Sequence, residues 1–168
     1  MKIKISFLLL IFALVSGVFA QQKRDHLTEK EIELIRFNQE LDKRVEIYIQ
    51  SIERRMMVLE GKNLSEKDVE KFGMPTGENL DLLSDISKIL SEAIDKIDDV
   101  AERDAKNKLI PKAVKLLASA CQNFMPHFES YKNKFIEPKE KGLVLSSIDN
   151  CQQVIEASNK NLNSGSKN

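Results

Sequence analysis

The chain has no tryptophan, and of its 168 residues only six are glycine, four proline, two cysteine and two histidine. Each scarcity excludes something. Two histidines, His26 and His127, with no Glu-x-x-His spacing rule out the ligand set of a di-iron carboxylate bundle. Cys-x-x-Cys-His is missing, so covalent haem is not expected. No H-E-x-x-H, G-x-S-x-G or phosphate-loop pattern occurs, and a zinc site would need ligands the chain barely has. The sequence is therefore not expected to encode an enzyme, and no cofactor is called for. Net charge is absent too, with 26 basic against 26 acidic side chains. Such balance gives no long-range pull toward nucleic acid or anionic lipid. Beyond residue 20 no apolar run is long enough to span a bilayer.

The one strongly apolar run is at the start. Lys2 and Lys4 precede the apolar stretch Ile5 to Val15, and Val18-Phe19-Ala20 puts small residues at the −3 and −1 positions. Residues 1–20 read as a secretory signal peptide cleaved after Ala20, which predicts an exported protein, periplasmic or secreted. Cleavage would leave 148 of 168 residues and remove two lysines, giving 24 basic against 26 acidic groups and a net of −2. That length suits a single domain with one core.

Helical periodicity dominates the remainder. Thr28-x-x-Glu31 is a capping box, and Leu34, Phe37, Leu41, Val45, Tyr48, Ile52, Met56 and Leu59 follow on one face. They predict one long helix over Thr28–Glu60, ~50 Å at 1.5 Å per residue. Ile32, Ile47, Met57 and Val58 fall off that stripe and form a candidate second contact surface, for a protein partner or another copy of the chain. Gly61 to Glu78 reads as a linker with a short helix capped by Ser65-x-x-Asp68 and ended at Gly73. A linker of this length leaves open the direction of the next helix.

A helical hairpin spans Asn79 to Phe135. Its first helix carries Leu82, Leu83, Ile86, Ile89, Leu90, Ala93, Ile94 and Ile97 on one side, with Asp85 and Glu92 assigned to the opposite face. The second carries Ala113, Leu117, Cys121, Phe124, Phe128 and Tyr131, in phase across Pro126, which either kinks or breaks it. The acidic face of the first and the lysines of the second are expected to exchange ion pairs. A last helix runs from about Lys139 to Leu162, and residues 163–168 read as a disordered tail. The predicted fold is all-α: an antiparallel four-helix bundle within residues 21–162, with a short helix in the first linker.

Export and an even cysteine count predict a disulfide between Cys121 and Cys151, at matched heights on neighbouring antiparallel helices. Leu27-Thr28-Glu29-Lys30-Glu31 resembles the Leu-Thr-x-x-Gln repeats of small periplasmic helical chaperones of the Spy type, with glutamate at the last position. It occurs once, and no function is carried over from it. Two functions suit the pattern. One is protein–protein interaction as a structural, adaptor or chaperone-like module. The other is a carrier or sensor for a small apolar ligand between helices near Met56, Phe124, Met125 and Phe128.

Overall fold

A computed structural model describes residues 24–165, with side chains to residue 160. The signal sequence read over residues 1–20 lies outside the described residues. Among those described the chain is all-helical: α1 (Glu29–Phe37), α2 (Leu41–Leu59), α3 (Glu66–Phe72), α4 (Asn79–Arg103), α5 (Leu109–Lys134) and α6 (Pro138–Gly165). Helix α6 runs three residues past the expected end at Leu162, and residues 166–168 lie outside the described part.

The single long first helix is corrected to two. Asn38 leaves the helical region with φ −92° and ψ 112°, and Glu40 caps α2 with φ −73° and ψ 133°. Side chains stabilise the corner. The Asn38 amide donates to the Leu34 carbonyl, and the Arg44 Nε donates to the Asn38 carbonyl at 2.6 Å. The reason for the break is tertiary. Glu31 bonds Arg54 and Arg55, 23 and 24 residues away. A straight helix would hold them ~35 Å apart, so α1 must fold back along α2.

Helix α2 packs on α4 and α5, and α6 packs on the same two helices. Their facing stripes supply the core, including Val45, Tyr48, Ile52, Ile89, Leu90, Leu117 and Phe128. Burying each such aliphatic or aromatic side chain contributes about 1.5–3 kcal/mol. Polar contacts set directions. Asp42 meets Lys112 at one end of α2, and Glu60 meets His127 at the other, so α2 and α5 run the same way. Tyr48 bonds Glu92 while Arg55 bonds Asp85, so α2 and α4 run oppositely. Neighbouring helices are thus not all antiparallel as expected: the long linker lets α4 take its place without dictating a neighbour for α5. The ion pairs expected between α4 and α5 do not form among the described residues. Lys112 turns to Asp42 of α2, while Lys96 and Arg103 pair with Asp99 on their own helix.

Two short elements complete the fold. Ser65 caps α3 by accepting from the Asp68 amide, and Gly73 ends it at φ 75°. A side chain there would also come within 3.1 Å of the Thr28 hydroxyl, because the start of α1 rests on the end of α3. Helix α5 passes through Pro126 without ending. Pro126 is exposed and leaves the carbonyl of Gln122, also exposed, without its helical donor. Pro126→Ala should therefore raise stability by roughly 1–3 kcal/mol, read from the urea midpoint. No gain would show that the Gln122 carbonyl loses nothing by lacking its helical donor.

Candidate functional site

The most unusual feature of the interior is charge. Glu31, Arg54, Arg55 and Asp85 are all buried where α1, α2 and α4 meet the turn after α3. The capping box places Glu31. Its Oε2 accepts from the Thr28 amide at 2.8 Å, and the Thr28 hydroxyl accepts from the Glu31 amide. The same carboxylate receives Nη1 and Nη2 of Arg55, both at 2.9 Å, and Nη1 of Arg54 at 2.8 Å. Paired guanidinium and carboxylate forks are among the strongest protein hydrogen bonds.

Arg55 also donates to the carbonyls of Ser51 and His26. Its Nε lies 3.4 Å from Asp85 Oδ2. Asp85 in turn is held by both Nη atoms of Arg24 at 2.9 and 2.6 Å. Burial raises the Asp85 carboxyl above its ordinary range, although Arg24 and Arg55 pull it down. Burial likewise lowers Arg54 against the pull of Glu31. Arg54 donates to the Gly73 carbonyl, lies 5.1 Å from the Phe72 ring centroid, and leaves its Nε unpartnered. The cluster joins residues 24–31, α2, the end of α3 and α4. It can fix the position of α1.

Two smaller polar groups sit along α2, one at its middle and one at its C-terminal end, and they use both histidines and both tyrosines of the chain. Glu92 accepts from the Tyr48 hydroxyl at 2.8 Å and meets His26 Nε2 at 2.7 Å. Glu60 accepts from the Tyr131 hydroxyl at 2.8 Å and meets His127 Nδ1 at 2.6 Å. His26 is thus anchored rather than frayed. Burial and the carboxylate partners push both phenols well above their ordinary range. The His26 bond, against burial and with help from Tyr48, holds Glu92 below its ordinary range. Burial alone would raise Glu60, but bonds from Lys62, Tyr131 and His127 overcome it and bring the carboxyl down to about 2.

The expected disulfide is not formed. Cys121 and Cys151 are free and buried, and α5 and α6 hold their sulfurs beyond bonding distance. The neighbouring Cys151 and burial raise the Cys121 thiol far above its usual value. Each cysteine fills the core as a small apolar side chain. Of the off-stripe residues Ile47 is buried and Ile32, Met57 and Val58 are half-buried, and α1 packs on α2. Met56, Phe124 and Phe128 are plain core, with Met125 half-buried beside them.

The charge cluster escaped the sequence reading although it left a signal. Arg55 falls on the apolar stripe, three residues after Ile52 and four before Leu59. Asp85 lies three after Leu82 and four before Ile89, on the flank of its stripe rather than opposite. Among the described residues no group of three or more His, Cys, Asp or Glu side chains is placed to hold a metal ion, and no helix is long and apolar enough to cross a membrane.

Glu31→Gln keeps the shape but removes the charge that neutralises Arg54 and Arg55. It should cost about 3–5 kcal/mol in urea unfolding, the scale for breaking a buried ion pair; a loss below 1 kcal/mol would mean that water replaces the carboxylate. For Glu60 the sign follows from its depressed carboxyl. The contribution is full above the unfolded value of 4.5 and is lost as pH falls through the window down to about 2. Glu60→Gln should destabilise by roughly 1–2 kcal/mol at neutral pH, with the difference from the parent vanishing at the acid end. A difference unchanged across that window would place its origin elsewhere.

Comparison with family models, with curated proteins and with solved structures finds no match to this chain.

Proposed function

We propose that this is an exported, non-catalytic protein that acts by protein–protein contact, as a structural, adaptor or chaperone-like module. Its frame is a four-helix bundle of mixed direction made by α2, α4, α5 and α6. The packing of α2 and α6 each on both α4 and α5 supports that arrangement. Export rests on the charged, apolar and small-residue segments of residues 1–20.

One observation carries the interaction reading. Phe37, at the end of α1, is 90% exposed. It borders a groove between α1 and α3 lined by Lys30, Glu33, Leu34, Glu70 and Lys71. A large aromatic at the lip of a groove with a mixed-charge rim has the composition of a contact hot spot. The non-catalytic reading is supported by the phenols of Tyr48 and Tyr131, each committed to a carboxylate and pushed away from neutral titration.

The carrier reading has one observation in its favour. A cleft of about 200 Å³ between α4, α5 and α6 is lined by Ile94, Ile97, Val114, Leu117, Val154 and Ala157. That is below the ~300 Å³ at which small-molecule pockets begin, so protein contact is preferred.

Native mass spectrometry of protein purified from its own host tests the choice. The expected mass exceeds one chain by a second protein, own copy or other, and Phe37→Ser returns it to a single chain with thermal unfolding unchanged. A single-chain mass for the parent, or a complex indifferent to Phe37, overturns the reading. A small-molecule increment in its place favours the carrier.

A further inference from the structure

Helix α1 ends on a bare ring. Phe37 is its last residue and is almost wholly exposed. Glu33 lies four residues before it and Leu34 three, which puts all three on one side of α1. They border a groove of about 340 Å³, with Glu70 and Lys71 of α3 across from them and Lys30 of α1 completing the lining.

The charges of this groove are balanced in number but not in use. Both cations are engaged. The Lys30 ammonium donates to the Glu70 carbonyl, and Lys71 Nζ lies 4.6 Å from the centroid of the Phe72 ring. The two anions are free. Among the described residues the ion pairs of α1 are those of Glu31 with Arg54 and Arg55, and neither Glu33 nor Glu70 has one. Glu70 accepts through its backbone carbonyl alone. Arg36, the cation of the last turn of α1, is paired with neither carboxylate. The groove thus presents two exposed, uncommitted carboxylates beside an uncovered aromatic face.

We propose that the α1–α3 groove is a docking site for an arginine side chain carried on an apolar segment of a partner protein. This rests on the reading that the protein acts by protein contact, and it names what that contact recognises. A guanidinium is the group that uses both features at once: its plane stacks on an aromatic ring while its N–H fork meets a carboxylate. The stem of the arginine covers Leu34, and its head lies over Phe37 within reach of Glu33 or Glu70. An exposed pair of opposite charges contributes little by itself. Apolar residues flanking the arginine cover Phe37, exclude water from the carboxylates and strengthen the attraction. The bare ring alone would accept any apolar residue; the free carboxylates supply the choice, and they reject an acidic segment.

Two short capped peptides test the charge directly. One carries a single arginine between two leucines. The other carries citrulline in its place, which keeps the shape and loses the charge. Titrated into isotope-labelled protein by NMR, the arginine peptide should shift the amide signals of Glu33, Leu34, Phe37 and Glu70 and bind about tenfold more tightly than the citrulline peptide. Glu33→Gln combined with Glu70→Gln should abolish that preference. Both residues are exposed, so the fold is not at stake.

Equal binding of the two peptides, a preference that survives the double substitution, or no shift at these residues would overturn arginine recognition. If native mass spectra still show a Phe37-dependent complex in that event, the contact reading stands alone. An arginine preference with no such complex leaves a guanidinium site without a protein on it and overturns the proposal. If preference and complex are both absent, both readings fail.

Discussion

Glu31 seated between Arg54 and Arg55 is the constraint on which the rest of the arrangement depends. A carboxylate removed from water costs several kcal/mol unless charge and hydrogen bonds replace the water. Here four donors do so: the Thr28 amide, two nitrogens of Arg55 and one of Arg54. The arginines face the same demand, and they meet it through Asp85 and through carbonyls of Ser51, His26 and Gly73. No member can leave without stranding another. The corner at Asn38, the resting of α1 on α3 and the exposure of Phe37 all follow from bringing Glu31 to that place.

Such a cluster is weak evidence for stability, since well-packed apolar residues of similar volume often do as well. What it supplies is position. An apolar stripe tolerates sliding by a turn, whereas a carboxylate with four donors has one seat. Glu31 adds a coupling of its own, because the group that docks α1 is also the group that caps it. Undocking the arm therefore weakens its first turn only in part: the Thr28 bonds are local and travel with the helix, while the arginine bonds do not.

What was legible in the sequence was local. The capping box of α1, the apolar stripes of α4 and α5, and the short helix capped by Ser65 and ended at Gly73 are encoded within a few residues of where they act, and they appear as read. What was illegible was tertiary. Asn38-Gln39-Glu40 carries no breaker, so the corner is imposed from 23 residues away. The off-stripe Ile47 read as part of a contact surface, and it is buried within the chain itself. Arg55 stood on the apolar stripe and was passed over, because one charged residue on a face of aliphatics reads as a gap unless its partner is known. Cys121 and Cys151 read as level with each other on neighbouring helices, yet height along two helices does not fix the separation of two sulfurs, and both thiols are free.

Helix α2 shows how polar groups settle a question that hydrophobic packing leaves open. It is buried nearly all round, by α4 and α5 inside and by α1 outside. An evenly apolar helix in that setting would have no preferred height. Tyr48, at the middle of α2, and Tyr131, at its C-terminal end, resolve it. Each buries its ring in the core and spends its hydroxyl on a carboxylate that also takes a histidine. One group spans α2 and α4, the other α2 and α5. A slip of one turn, ~5.4 Å, would break both. Two half-exposed carboxylates thus fix the register of the central helix against both neighbours, and the seat of Glu31, carried on that same helix, is fixed with it.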